Sequence, residues 1–200
     1  MGLYTRADVE LSTLEKCEKL RELKEKEQRE MFGLLAQKTE ALLSTSTLKD
    51  HSFFGVFPMI TKNNMLLLVI ARVPSIEKST VYQPFYRNAT IEVIDPETFV
   101  PLAIHKRIAF LYFEIKGQNV HAVDICTVPE MRRQGIGTFM LRLLESIATG
   151  FGAKIIDGEL SPVDLPNREI QIAFYTKNGY NIFFRDENKE SGWIEKKLSR

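Results

Sequence analysis

The sequence predicts an α/β fold in which a mixed central sheet is flanked by helices and preceded by a long helical segment. Three observations predict it. Residues 9–43 contain one Gly and no Pro, and most of them are strong helix formers. The middle of the chain carries short runs rich in Val, Ile, Phe and Tyr, and the last third alternates helical and strand patterns. We therefore divide the chain into an N-terminal helical segment, 1–50, and a domain, 51–200.

The N-terminal segment is unusually charged for a helix that packs on a core. Between residues 15 and 30, 12 of 16 side chains are charged, which leaves Cys17, Leu20 and Leu23 as a thin apolar stripe. A solvated helix face and a short coiled-coil seam both fit this stripe, and the lack of a sustained heptad favours the solvated face. Gly33 is a candidate break in the helix. We expect this segment to offer a partner or homo-oligomer surface.

Four runs in the middle of the chain have the composition of strands. They are residues 65–73, 89–94, 108–115 and 120–128. The last two are separated by a short connection, 116–119, that contains Gly117. A connection of this length predicts an antiparallel hairpin.

The last third contains the clearest amphipathic helix. Apolar residues recur at i, i+3, i+4, i+7 and i+8 from Ile136 onward, and Gly150 and Gly152 end the pattern. A strand over 153–160 and a helix over 168–178 follow. Two closing strands are predicted over residues 180–184 and 192–198.

Composition excludes several classes of protein. The chain has 44% hydrophobic and 26% charged residues, as ordinary globular proteins have, and its net charge of +1 provides no overall attraction to nucleic acid. Cys17 and Cys126 form no CxxC pair, which argues against a disulfide framework or a cysteine-rich zinc site. The three histidines, His51, His105 and His121, have no metal-ligand spacing, and we expect no metal.

The location of the protein is predicted from its apolar runs. The N-terminus lacks the pattern of a secretory signal, and the longest apolar run, 65–71, is too short to span a bilayer. We expect a cytoplasmic protein with no membrane partner.

A strand, a glycine-containing loop and the amphipathic helix follow one another over residues 120–148. A diphosphate group needs several backbone N–H donors directed into one small volume, and the first turn of a helix supplies such donors together with a positive dipole end. Gly135 and Gly137 let the backbone approach phosphate oxygens closely. The dinucleotide pattern GxGxxG and the nucleoside-triphosphate pattern GxxxxGK[ST] are both absent from the sequence.

The loop Arg132-Arg133-Gln134-Gly135-Ile136-Gly137 resembles the coenzyme A signature of the GNAT superfamily of N-acyltransferases, Arg/Gln-x-x-Gly-x-Gly/Ala. The resemblance extends over residues 125–138. A second segment, 174–180, reads Phe-Tyr-Thr-Lys-Asn-Gly-Tyr and is similar to the family's FYxxxGF. Both segments occur in the family's order, separated by a helix and a strand.

The resemblance implies a GNAT-like sheet whose central parallel strands splay apart, with the pantetheine arm of acetyl-CoA between them. It implies that backbone groups of Ile125 and Thr127 pair with pantetheine. It assigns the pyrophosphate site to Arg132, Arg133, Gln134, Gly135, Ile136, Gly137 and Thr138. The implied activity is N-acetyl transfer from acetyl-CoA to a small-molecule or peptide primary amine by direct attack. The alternative is a non-catalytic coenzyme A-binding or helical protein-interaction module.

Three residues are candidate catalysts. Tyr175 occupies the family position of a tyrosine that protonates the departing thiolate; packing of its ring under the sheet is the alternative, and the acid role is favoured. His121 lies eleven residues before Arg132, where some members place a catalytic Glu or His, and Glu159 is the second candidate base. Strand alternation points Cys126 away from Ile125 and Thr127, and we expect it to be a buried structural thiol.

The family pattern is not matched at the front of the chain. A long helical segment takes the place of the short strand and two helices that the resemblance implies there. That region shapes the acceptor site in the family, so the sequence leaves the acceptor amine open, aminoacyl-tRNA included.

Overall fold

The computed structural model describes Lys26, Glu30, Gly33 and residues 51–74, 89–95 and 107–198, with the side chains of 51–54 excepted. The chain divides into two units, Met1–Ser44 and Thr45–Arg200. The three described residues of the first unit are helical, and Gly33, the candidate break, is one of them. The rest of the helix predicted over 9–43 lies outside the described residues.

The second unit contains eight strands, two α-helices and two short 3₁₀ helices within the described ranges. The strands are β1 (His51–Ile60), β2 (Leu66–Pro74), β3 (Ala89–Ile94), β4 (Arg107–Lys116), β5 (Asn119–Thr127), β6 (Ile155–Leu160), β7 (Asn181–Phe184) and β8 (Gly192–Lys197). The helices are α1 (Ile136–Gly150) and α2 (Arg168–Lys177), and the 3₁₀ helices cover Pro129–Met131 and Pro162–Asn167.

The strands form one mixed sheet in the order β1-β2-β3-β4-β5-β6-β8-β7. Every neighbouring pair is antiparallel except β5 and β6, which are parallel. The predicted strands, the hairpin at residues 116–119 and both helices are confirmed within a few residues at each end. β1 was missed, because Gly55 and Pro58 interrupt its strand pattern; as an edge strand it tolerates proline.

The amphipathic helix α1 packs on one face of the sheet. Its residues Ile136, Met140 and Leu144 are at most 1% exposed and share a core with residues of every central strand. We call this side, which carries Leu111, Phe113, Val120, Ile156 and Ile194, the core face. The opposite side carries the residues that alternate with them and is called the second face.

A buried arginine fixes α2 to the rest of the domain. Arg168 is 4% exposed. Its Nε donates to the carbonyl of Lys189 at 2.9 Å, and its Nη2 donates to the carbonyls of Ser161 at 2.9 Å and Glu190 at 2.7 Å. Its Nη1 donates to Gln171 at 2.7 Å. One side chain therefore joins the end of β6, the start of α2 and the β7–β8 loop.

Arg168→Ala is expected to lower the free energy of unfolding by about 3 kcal/mol, because it removes four hydrogen bonds from a buried charged group, and such bonds contribute about 1.5–3 kcal/mol each. Urea unfolding measures the change. Arg185→Ala is the control, since Arg185 makes an exposed ion pair with Glu159 and such pairs contribute about 0–1 kcal/mol. Equal unfolding midpoints for the two variants would contradict the role given to Arg168.

Candidate functional site

A slot opens in the middle of the sheet between β5 and β6. The two strands pair only from Asn119 with Ile155 to Ala122 with Gly158. Beyond this point β5 continues to Thr127 beside β4, and β6 continues to Leu160 beside β8. A Cβ on Gly158 would lie 2.8 Å from the carbonyl oxygen of Ala122, so the strands approach closely just where the slot begins. The structure thus contains the splay that the resemblance implies.

A β-bulge shapes the wall of the slot on β5. Phe113 pairs with Ala122 and Tyr112 pairs with Asp124, so Val123 has no partner on β4. A bulge adds one residue to a strand and redirects the side chains that follow it. Cys126 and Asp124 consequently share the second face with Tyr112.

Two residues of β5 direct their backbone groups into the slot. The amide of Val128 donates to the carbonyl of Ile108 at 2.9 Å. In an antiparallel pair the backbone groups of alternate residues point to the same neighbour, so those of Ile125 and Thr127 point away from β4. The Thr127 carbonyl accepts from Arg132 Nε at 3.2 Å, in agreement with this direction. These are the two residues predicted to pair with pantetheine.

The glycine loop follows β5 at the end of the slot that is away from the last β5–β6 pair. Arg133 and Gly135 have φ values of 61° and 89°, and Gly135 is the N-cap residue of α1. Within the described part of the chain, none of the amides of residues 133–138 donates to a backbone carbonyl. Left-handed residues followed by a helix N-terminus direct such amides into one concavity with a positive dipole end, which fits a diphosphate group.

The β1–β2 turn and α2 contact the glycine loop. The amide of Lys62, in the β1–β2 turn, donates to the Gln134 carbonyl at 3.4 Å. A Cβ on Gly137 would lie 3.0 Å from the ring of Phe174. The first turn of α1 therefore rests on α2, and the two segments that carry the family resemblance meet in space.

Tyr175 lies beside Phe174 in the same core. It is 7% exposed, and its ring packs at an edge against Phe174 at 5.1 Å and Tyr180 at 5.8 Å between centroids. Burial raises the pKa of Tyr175 to about 12, with further contributions from the carboxylates of Asp124 and Asp164. The phenol is therefore protonated at neutral pH. Asp124 is on β5 and Asp164 follows β6, so carboxylates from both sides of the slot raise the pKa of this hydroxyl.

His121 is paired with an acidic residue that the sequence did not indicate. Its Nδ1 lies 2.5 Å from Oδ1 of Asp157, and the two residues are register partners across the parallel β5–β6 pair. Both side chains are about a third exposed, at 27% and 32%. The pair stands on the second face, one residue before the slot opens. Glu114 faces His121 from β4, but its carboxylate lies 2.5 Å from Lys116.

Glu159, the other candidate base, lies on β6, beyond the point where β6 separates from β5. It pairs in register with Trp193 of β8, and its carboxylate accepts from Arg185 at 3.2 Å. Its position two residues beyond Asp157 places it about 7 Å further along the same face of β6. The structure brings His121 and Asp157 together, and Glu159 is held by an arginine instead.

The predicted burial of Cys126 is wrong. The thiol is free and exposed. Its register with Phe110 confirms that it points away from Ile125 and Thr127, which pair with Leu111 and Ala109. Its side chain stands on the second face, on the side of the sheet opposite α1.

Neither a metal cluster nor a membrane-spanning helix is present among the residues that the structure describes. These residues contain no group of three or more His, Cys, Asp or Glu side chains that could hold a metal ion. None of the described helices is long and apolar enough to cross a membrane.

The family of the chain follows from its sequence. The acetyltransferase (GNAT) domain profile matches residues 95–182, which include the glycine loop, the slot and Tyr175. This part of the chain is a GNAT acetyltransferase domain. Its general class is therefore that of the acyl-CoA-dependent N-acetyltransferases. No curated protein matches this GNAT chain significantly.

Solved structures similar to this GNAT chain are distant in sequence. The GNAT domain of S. lividans PAT has 10% identity and a TM-score of 0.49, over 72% of this chain and 97% of that one. The ribosomal-protein-S18-alanine N-acetyltransferase from Escherichia coli has 17% identity and a TM-score of 0.44, over 64% and 79%. The PaiA N-acetyltransferase from Thermoplasma acidophilum, in complex with coenzyme A, has 19% identity and a TM-score of 0.43, over 54% and 59%.

Proposed function

We propose that this chain moves an acetyl group from acetyl-CoA to a primary amine by direct attack in a ternary complex. The observation that carries the proposal is the slot between β5 and β6, which leads to a loop whose amides have no backbone acceptor among the described residues. An extended chain with amide groups fits the slot, because Ile125 and Thr127 offer strand-like donors and acceptors there. A diphosphate fits the loop.

The residues that would hold acetyl-CoA follow from this fit. Ile125 and Thr127 would pair with the pantetheine arm. The amides of residues 133–138 would bind the pyrophosphate, and the guanidinium of Arg132 or Arg133 adds positive charge near it. The loop contacts Phe174, which is the residue before Tyr175. The position of the pyrophosphate site is therefore linked to the position of Tyr175.

The chain's own residues would move two protons. Bound acetyl-CoA supplies the acetyl group as a thioester. The amine nitrogen forms a bond to the acetyl carbon as the carbon–sulfur bond breaks. His121 Nε2 takes the proton released by the amine, and the Tyr175 hydroxyl gives its proton to the departing sulfur. Tyr175 belongs to the core-face cluster and His121 to the second face, so the two groups would act from opposite sides of the sheet.

The test is release of free thiol from acetyl-CoA in the presence of a panel of primary amines, together with calorimetric binding of coenzyme A. Binding with amine-dependent thiol release is the expected result. Binding without turnover would support a coenzyme A-binding module instead. Absence of binding by a folded protein would overturn both readings.

A further inference from the structure

Asp157 stands where a supporting residue for His121 is needed. The pair lies at the closed end of the slot, since the next residues on each strand, Ala122 and Gly158, are the last to pair. The contact of 2.5 Å joins side chains on two neighbouring strands whose register fixes their separation. The histidine is therefore oriented by the sheet itself rather than by a loop.

The chemistry of the contact determines which ring nitrogen is available. An ionised carboxylate only accepts hydrogen bonds, so Nδ1 of a neutral His121 must carry the proton that it donates to Asp157. The other nitrogen, Nε2, then has a free lone pair. This is the form of imidazole that can take a proton from an amine.

Two other carboxylates face the pair from neighbouring strands. Glu114 faces His121 from β4 and is bound by Lys116. Glu195 faces Asp157 from β8. Within the described residues, the only hydrogen bond or ion pair of the imidazole is the one to Asp157.

We propose that Asp157 is a positioning residue for acetyl transfer, which holds His121 in the Nδ1–H tautomer and leaves Nε2 as the base. This inference rests on the proposed function and selects His121 over Glu159. It also fixes a direction of approach. Because the pair stands on the second face, the acceptor amine reaches the slot from the side opposite α1.

The tautomer can be measured without any acceptor. ¹⁵N NMR of the imidazole distinguishes the protonated from the bare ring nitrogen, and His121→Gln identifies the signals of His121 among the three histidines. We expect wild-type protein to show mainly Nδ1–H and Asp157→Ala to lose that preference, whereas Asp157→Asn should keep part of it. The alanine variant is included because an asparagine oxygen can still accept. Glu195→Gln is the matched control and should leave the spectrum unchanged.

Kinetics with any accepted amine then test the consequence for the reaction. Asp157→Ala is expected to lower kcat by roughly 10- to 1,000-fold, within the range for loss of a well-placed base, with little change in coenzyme A affinity. Adding His121→Gln should reduce the rate no further, because both changes disable one unit. Glu195→Gln should retain the wild-type rate.

The NMR experiment and the kinetic experiment can each contradict a different part of the proposal. An unchanged His121 tautomer in Asp157→Ala would overturn the positioning role, whether or not the protein is an enzyme. An altered tautomer with a wild-type rate would show that the pair does not act in catalysis. Wild-type protein with no turnover on any amine would instead overturn the proposed function, and the NMR result would still decide what Asp157 does to His121.

Discussion

Gly135→Asp is expected to abolish coenzyme A binding by a protein that still folds. Gly135 has φ of 89° and caps the N-terminus of α1, where the amides of residues 133–138 have no backbone acceptor in the described chain. A carboxylate at this position would add negative charge where a diphosphate is to bind and would compete for the same amides. The loss should exceed 100-fold in Kd, or about 2.7 kcal/mol.

The control for this variant is Gly152→Asp. Gly152 also has a positive φ, 74°, and a Cβ there would meet nothing within 4 Å. The backbone strain and the added charge are thus similar, but the residue follows the C-terminal end of α1 instead of its N-terminus. Calorimetric titration with coenzyme A should show near wild-type affinity for the control. Unchanged affinity in folded Gly135→Asp would contradict the assignment of the pyrophosphate loop.

The parts of the fold that the sequence predicted are those with a local pattern. α1 repeats apolar residues with a helical period, and β3 and β4 are rich in β-branched and aromatic residues. Each of these elements can therefore be predicted from its local sequence alone. β1 is different. It is stabilised by pairing with β2, whereas Gly55 and Pro58 lower the strand propensity of its local sequence.

The candidate site divides in the same way. The glycine loop is continuous in sequence and could be recognised with its neighbouring helix. The partner of His121 is 36 residues away, and the contact depends on the register of a parallel pair that no local pattern specifies. An acidic residue inside the predicted strand 153–160 was the only available signal for Asp157. The exposure of Cys126 likewise depends on which face of the sheet is covered, and no local pattern specifies this.

The slot explains why the acid and base candidates are so different in environment. Tyr175 lies in the buried core, where burial raises its pKa to about 12 and the phenol is protonated at neutral pH. His121 lies on the second face, and 27% of its side chain is exposed to solvent. A thioester bound in the slot as proposed would lie between these two places.

Tyr175→Phe is expected to lower kcat by roughly 10- to 10⁴-fold while leaving coenzyme A affinity nearly unchanged, because the variant keeps the ring and removes only the proton donor. Because the pKa of Tyr175 is raised to about 12, its hydroxyl stays protonated between pH 6 and 9. Deprotonation of Tyr175 should therefore cause no decrease in the wild-type rate over that range. Initial rates over that range, measured with any accepted amine, check both statements.

Tyr180→Phe is the matched control for that experiment. Tyr180 is 3% exposed, its ring packs against Tyr175, and its buried hydroxyl has no hydrogen-bond partner among the described residues. Removing this hydroxyl leaves no acceptor or donor unpaired, so we expect wild-type turnover and unchanged or slightly higher stability. A Tyr175→Phe enzyme that also turns over at the wild-type rate would refute the acid role, provided that burst kinetics show the chemical step to be rate-limiting. An equal loss in both variants would point to packing of the tyrosine pair instead of proton donation.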